Sequence, residues 1–298
     1  MVWSACSICG AVQLGKLPSI AEIYIYSHTE GIGTKWRRHD SRFRAFVEQF
    51  AVAPVLYIDR SRLDGMQLAC PEPRAVSEGT VVHSHWMEHW RRPREVLEHL
   101  AARMAEGSRM IFSIPAMDPL LAAGVISTLN FEHSFLLGDR AVHSLLQHAG
   151  FTVLARNQFA DHSVFYACER REKHPAWTAH KDSRSRQHAK QALSSQRRDA
   201  QQTIKALDAF EGPAYLFGAH VFSQYLVALG LKESRFEAVL DNSAVKAGKR
   251  LYGTNLQVIS PRDIPGDRKA MVVIRAGPYD KEIREGILRD TNGNVVFG

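Results

Sequence analysis

The stretch Val81-Val82-His83-Ser84-His85-Trp86-Met87-Glu88-His89 is where the fold is decided. It opens on two β-branched apolar residues, which favour a buried strand, and turns polar at once. Beyond Pro93, the residues Val96, Leu97, Leu100 and Met104 recur at helical spacing. The reading is a buried strand that ends in a polar loop and feeds a helix. In open α/β sheets, ligands sit at the carboxyl ends of strands, where such loops emerge. A second polar group, Asn130-Phe131-Glu132-His133, follows downstream, and the two groups are expected to face one cleft.

The histidines of this stretch allow three readings. Imidazole suits zinc, so a zinc-dependent hydrolase using His83, His85 and His89 is one. The spacing comes close to the His-x-His-x-Asp-His pattern of metallo-β-lactamase-type hydrolases, but Met87 stands in the aspartate's place and His89 falls one residue late. The second reading is a helix-start loop that happens to be rich in histidine. The third, which we prefer, is an active-site loop without metal.

Working outward, a strand over Val55–Asp59 precedes the loop, and a helix from Trp36 to Phe50 carries Phe43, Phe46, Val47 and Phe50 on one face. Only 21 residues separate Asp59 from Val81, with Gln67–Cys70 as a very short candidate strand and Glu72 just beyond it. After the loop come a helix at 94–105, a strand over Met110–Ile114, a short apolar helix over Leu120–Thr128, and a helix N-capped by Asp139 and closed at Gly150. Phe151–Ala155 and Val164–Cys168 read as an antiparallel pair joined through Asp161-His162-Ser163, a turn in which His162 is taken as an ordinary turn residue.

The chain then changes character. From Arg170 to Lys205 it carries ten Lys/Arg and three Asp/Glu, so this segment alone accounts for the net charge of +7. It lacks the interleaved aromatics of a single-strand binding surface, and reads as a solvated helical connector; nucleic acid is not expected as a partner. Beyond it, strands over Ala214–Phe217, Phe236–Leu240, Leu256–Ile259, Met271–Ile274 and Asn294–Phe297 alternate with helices over Val221–Leu229 and Asp280–Leu288. That order suggests a small, mostly parallel sheet. Asp241 lies 23 residues after Gly218, the spacing at which an acid reaches a ribose hydroxyl in a Rossmann half.

Composition bounds the rest. The 298 residues suit two cores better than one. The longest nearly apolar run, Pro119–Leu129, has 11 residues, too short to span a bilayer, and a cytoplasmic protein with no membrane partner is expected. Four cysteines make no disulfide framework, but Cys6 and Cys9 form a Cys-x-x-Cys knuckle and are the candidate ligands of a zinc ion.

Together these residues resemble the S-adenosylmethionine-dependent sugar C-methyltransferase family over nearly the whole chain. The C-terminal motifs are the most specific: Leu216-Phe217-Gly218-Ala219-His220, then Leu240-Asp241-Asn242-Ser243 with Lys246 and Gly248, then Leu251-Tyr252-Gly253-Thr254 with Pro261, and Tyr279 with Glu282-Ile283. Ser84–His89 is similar to that family's loop after the fourth strand, Asn130–His133 to its Tyr-x-Glu-His motif with Asn130 in the tyrosine's place, and Cys6–Leu14 to the second cysteine pair of its zinc-binding piece. The resemblance implies a remnant of a zinc-binding piece over 1–20, a shortened Rossmann-like methyltransferase domain over 21–169, a basic helical linker over 170–207 and a second, smaller Rossmann-like domain over 208–298.

The function so implied is methylation at carbon on a nucleotide-linked keto-sugar. His133 would be the base, with Glu132 orienting it and His89 stabilising the oxyanion. Asp59, Gly65, Glu72 and His85 would hold S-adenosyl-L-methionine, and Gly218, His220, Asp241, Asn242, Lys246 and Tyr252 the nucleotide sugar. The cofactor segment departs from the family: its acidic, glycine-rich turn is replaced by Arg60-Ser61-Arg62-Leu63-Asp64-Gly65, with one glycine. A non-catalytic relative that binds a nucleotide sugar is therefore the alternative reading. No oligomeric state follows from the sequence.

Overall fold

Phe43, Phe46 and Val47, three to four residues apart, form one buried stripe and make α1 (Thr34–Phe50) an amphipathic helix against a sheet. The structure, a computed structural model, describes residues 2–7, 11–17, 19, 33–58, 78–126, 128–130, 132–136, 138–171 and 184–298. They divide into two compact units, 1–122 with 128–189 and 123–127 with 190–298. Among the described residues no helix is long and apolar enough to cross a membrane.

The first unit begins with a hairpin of β1 (Trp3–Ala5) and β2 (Val12–Leu14). Its main sheet contains β3 (Val55–Tyr57), β4 (Thr80–Ser84) and β5 (Arg109–Pro115), all parallel. Helix α2 (Pro93–Ala101) links β4 to β5, and α3 (Met117–Ala122) follows β5. The short β6 (Phe135–Leu136) pairs with β2. Helix α4 (Asp139–Ala149) then leads to β7 (Phe151–Phe159) and β8 (Ser163–Arg170), and β8 lies antiparallel between β5 and β7.

Alternation along the strands sorts side chains into two cores. Val81, Met110, Phe112, Ile114, Val164, Tyr166 and Cys168 pack with Val96, Leu97, Leu100, Val142 and Leu146 of α2 and α4. Val82, Ile111, Phe165 and Ala167 pack with the α1 stripe. The sheet is thus covered on both faces, an α/β arrangement of the Rossmann-like class.

The second unit contains most of α5 (Arg184–Asp208), then β9 (Ala214–Phe217), α6 (Val221–Ala228), β10 (Ala238–Leu240), β11 (Val258–Ile259), β12 (Ala270–Val273), α7 (Asp280–Asp290) and β13 (Val295–Phe297). Its strands are all parallel, in the order β11-β10-β9-β12-β13. Counted within the unit this is 3-2-1-4-5, the doubly wound order, whose ligand crevice lies at the carboxyl ends beside the switch point between strands 1 and 4.

Three local expectations need correcting. The helix expected over 120–128 runs from Met117 to Ala122 and gives out before Gly124, whose φ of 78° is left-handed. Pro119 falls in its first turn, where no intrahelical donor is needed. Asp139 is not the N-cap of α4 but its first residue, after Gly138; its carboxylate accepts from the Tyr166 hydroxyl and pairs with Arg156 at 2.7 Å. In β3, where a fully buried strand was expected, Val55 is 40% and Tyr57 63% exposed.

Candidate active site

The loop after β4 is set by one backbone angle. Strand alternation would put His85 on the same face as His83. The φ of His85 is 47°, a left-handed value uncommon outside glycine, and it throws the imidazole to the other face. His83 therefore stays in the α2 core, its ring stacked on Phe112 at 5.1 Å and tilted against Trp90 at 5.5 Å. Neither of its ring nitrogens has a hydrogen-bond partner among the described residues, and burial pushes its pKa down to about 3. His85 lies on the α1 side, 5.2 Å from His39. The zinc set His83/His85/His89 is thereby overturned, because His83 and His85 point into different cores.

The loop instead forms two groups with Glu88 between them. In the first, single ligand atoms of Glu88, His89 and His133 lie within 4.8 Å of one another. The His89 and His133 rings meet edge to face at 5.0 Å. Glu88 is 1% exposed; its Oε1 lies 4.0 Å from His89 Nε2 and 3.3 Å from His85 Nδ1, and its Oε2 is buried without a hydrogen-bond partner among the described residues. His133 Nδ1 lies 3.0 Å from the Thr128 carbonyl. A carbonyl only accepts, so Nδ1 carries the proton and Nε2 keeps its basic lone pair.

The two polar loops are tied together here. Ser134 N–H donates to the Glu88 carbonyl at 3.1 Å, and its hydroxyl donates to the Trp90 carbonyl. Asn130, where the family pattern has tyrosine, accepts with Oδ1 from the N–H groups of Glu132 (2.8 Å) and His133 (2.9 Å). Glu132 thus helps through its backbone. The carboxylate that closes on the histidine pair is Glu88, which corrects the orienting role expected of Glu132.

In the second group, single ligand atoms of His39, His85 and His162 also lie within 4.8 Å of one another, and all three residues are buried. His85 Nε2 shares the Ser163 hydroxyl with His162 Nδ1, at 2.8 and 2.5 Å. His39 Nδ1 lies 2.9 Å from Asp40. The Trp36 ring packs edge-on against all three imidazoles at 4.6–5.2 Å. Sequence reading missed this group. His39 was findable, since it falls four residues before Phe43 on the buried stripe of α1; His162 was not, since only the register of the β7–β8 hairpin brings it there.

Of the remaining expected residues, Asp59, Gly65, Glu72 and Cys9 lie outside the described residues. Cys6 follows β1, its N–H donating to Ala11 O across the hairpin. In the second unit, Asp241 at the end of β10 is a hub. Its Oδ2 accepts from Ala219 N–H at 2.9 Å and from Lys246 Nζ at 3.0 Å, and its Oδ1 from Ser243 N–H at 2.9 Å. Gly218, at φ 98°, turns the chain from β9 into α6, and His220 is the helix N-cap position. These converge on the carboxyl ends of β9 and β10. Asn242 is exposed beside Asp241, and Tyr252 is 81% exposed.

No protein-family model and no curated protein matches the chain. Among solved structures it is similar to a magnesium protoporphyrin IX methyltransferase from Synechocystis with bound SAH, at 18% identity over 30% of this chain and 44% of that one, with a TM-score of 0.24. It is similar to an O-methyltransferase family protein from Burkholderia thailandensis at 16% identity, 35% and 34% coverage and a TM-score of 0.27. A Bacillus halodurans structure described as a methyltransferase matches at 11% identity, 43% and 77% coverage and a TM-score of 0.29. The chain thus spans less than half the length of the first two. At these scores the likeness assigns no residue and no activity.

Proposed function

We propose that the chain is an S-adenosylmethionine-dependent methyltransferase acting at a carbon beside the ketone of a nucleotide-linked sugar. The observation that carries this reading is the apposition of His89 and His133 against buried Glu88, just beyond the carboxyl end of β4. Carbon methylation needs a base for the α-proton and a donor for the enolate oxygen. His133 is the base, because its Nδ1 is committed to Thr128 and Nε2 is left to take the proton. His89 is the oxyanion donor, and Glu88 supports the charge it gathers.

The methyl donor, when bound, supplies an electrophilic methyl group. Its place in this reading is the edge formed by the ends of β3 and β4. There Ile58 offers an apolar surface and Ser84 a half-buried hydroxyl, bonded to Ser113 at 2.7 Å, chemistry that fits a nucleoside. Asp59, Gly65 and Glu72 enter on the resemblance alone. Both ring nitrogens of His85 have partners, Ser163 and Glu88, so its share in cofactor binding is to shape the loop.

A second reading, a non-catalytic protein that binds a nucleotide sugar, is favoured by the doubly wound order of the C-terminal sheet and its Asp241–Lys246 loop. Calorimetric titration of the whole chain separates the two. S-adenosylhomocysteine is expected to bind with one-site stoichiometry, and His133→Gln to retain that binding while methyl transfer falls by about 10²–10⁴-fold. A folded sample that binds nucleotide sugar but not S-adenosylhomocysteine would sink the first reading and leave the second.

A further inference from the structure

Three imidazoles do not converge from distant parts of a chain by local sequence. His39 comes from α1, His85 from the loop after β4 and His162 from the β7–β8 turn, yet one ring nitrogen of each lies within 4.8 Å of the others. Their exposures are 0%, 7% and 4%. A buried polar ring needs a partner, and each of these has one: Asp40 for His39, Glu88 and Ser163 for His85, and Ser163 for His162.

The partners matter more than the count. Histidines that hold a metal usually bind a carboxylate or similar group with the other ring nitrogen, which fixes the tautomer and aims the ligating lone pair. Here His39 Nδ1 meets Asp40 at 2.9 Å, and His85 Nδ1 meets Glu88 at 3.3 Å. His85 Nε2 and His162 Nδ1 meet at the Ser163 hydroxyl, at 2.8 and 2.5 Å, which a bound metal ion would displace. The elements carrying the rings are also fixed. Lys35, on the first turn of α1, pairs with Asp161 beside His162 at 2.9 Å.

Charge points the same way. Glu88 is a carboxylate at 1% exposure whose Oε2 has no hydrogen-bond partner among the described residues, and Lys35 pairs with Asp161. Neutral imidazoles do not compensate a buried negative charge; a dication held by them does.

We infer that His39, His85 and His162 form a binding site for a divalent transition-metal ion of the zinc type, with Asp40 and Glu88 as its supporting carboxylates. Three imidazoles leave one position of a tetrahedral ion open. Zinc–nitrogen bonds of about 2.0–2.1 Å place ligand atoms roughly 3.4 Å apart, so ring rotation and a small inward shift complete the site. Glu88 then spans the metal group and the His89/His133 pair. Metal uptake by the site is tested without methyl transfer.

The probe is cobalt(II), titrated into the chelator-treated full chain. One equivalent is expected, with visible d–d absorption and without the near-ultraviolet band of thiolate ligation. His162→Gln should lose this binding, Asp40→Asn should weaken it about 10-fold, and His133→Gln and Cys6→Ser should leave it unchanged. No cobalt uptake, a thiolate band, or retention in His162→Gln with loss in His133→Gln would each overturn the site. If His162→Gln does not fold, X-ray absorption of the zinc-loaded wild-type protein decides: imidazole outer-shell scattering without sulfur supports the assignment, and a sulfur shell refutes it.

Discussion

At the carboxyl end of β4 the chain collects His85, Glu88, His89 and His133, and among the described residues the buried Glu88 Oε2 has no hydrogen-bond partner. At the ends of β9 and β10 it collects one acid, Asp241, and satisfies it with two backbone N–H groups and Lys246. The two sheets place loops at equivalent ends and treat charge in opposite ways. Unsatisfied buried groups cost stability and are kept where chemistry uses them; a saturated carboxylate holds a loop in shape. The first loop is therefore the place to look for reaction, and the second for binding on a rigid frame.

That contrast can be broken or sharpened by four substitutions. The largest effect is expected for Gly79→Ala, just before β4. Gly79 has φ 91°, and an added Cβ would stand 2.1 Å from the Pro54 carbonyl oxygen. Backbone must move, at a cost of about 3 kcal/mol or more, read by denaturant unfolding. In the C-terminal unit, Asp241→Ala should cost about 2 kcal/mol by orphaning the Ala219 and Ser243 N–H groups. Faster hydrogen exchange in the peptides around 219 and 243 would locate the effect, and unchanged exchange there would refute the hub.

Gly218→Ala probes the matching turn after β9. Its φ is 98°, but nothing lies within 4 Å of the added Cβ, so only the backbone preference is lost, roughly 1 kcal/mol. A cost equal to that of Gly79→Ala would erase the contrast between the two turns. The smallest change is expected for His83→Leu, which replaces an unbonded buried ring by an apolar side chain of similar size. Stability at pH 7 should change by less than about 0.5 kcal/mol, or rise. The wild type should weaken as pH falls from 6.5 toward 3, because the unfolded chain takes up a proton that buried His83 refuses until about pH 3. The variant should lack this part of the acid loss, which thermal unfolding across that range reads directly.

Periodicity carried much of the fold. The α1 stripe, the stop at Gly150 and the β7–β8 pair follow from local patterns, as does the parallel C-terminal sheet. Side-chain competition did not. Asp139 has the chemistry of an N-cap, but Tyr166 and Arg156, from strands later in the chain, claim its carboxylate. For the site, the two polar loops were legible as a pair. Glu88 was visible, but its role was not, because burial decides which acid matters. The zinc reading rested on spacing alone; it needs His83 and His85 on one face, and a single positive φ at His85 parts them.

The doubly wound order has a consequence for how the chain is made. β9 is the central strand of its sheet, with β10 on one side and β12 on the other. Its first flank arrives about two dozen residues later, its second only with Ala270–Val273. On a ribosome, Tyr215 and Leu216 emerge long before the residues that cover that edge. In the interval the central, fully buried strand of the sheet offers an open row of backbone donors and acceptors to any passing strand. Fragments ending before Ala270 should therefore collect as aggregates, while the complete sheet leaves only its outer strands exposed along their edges.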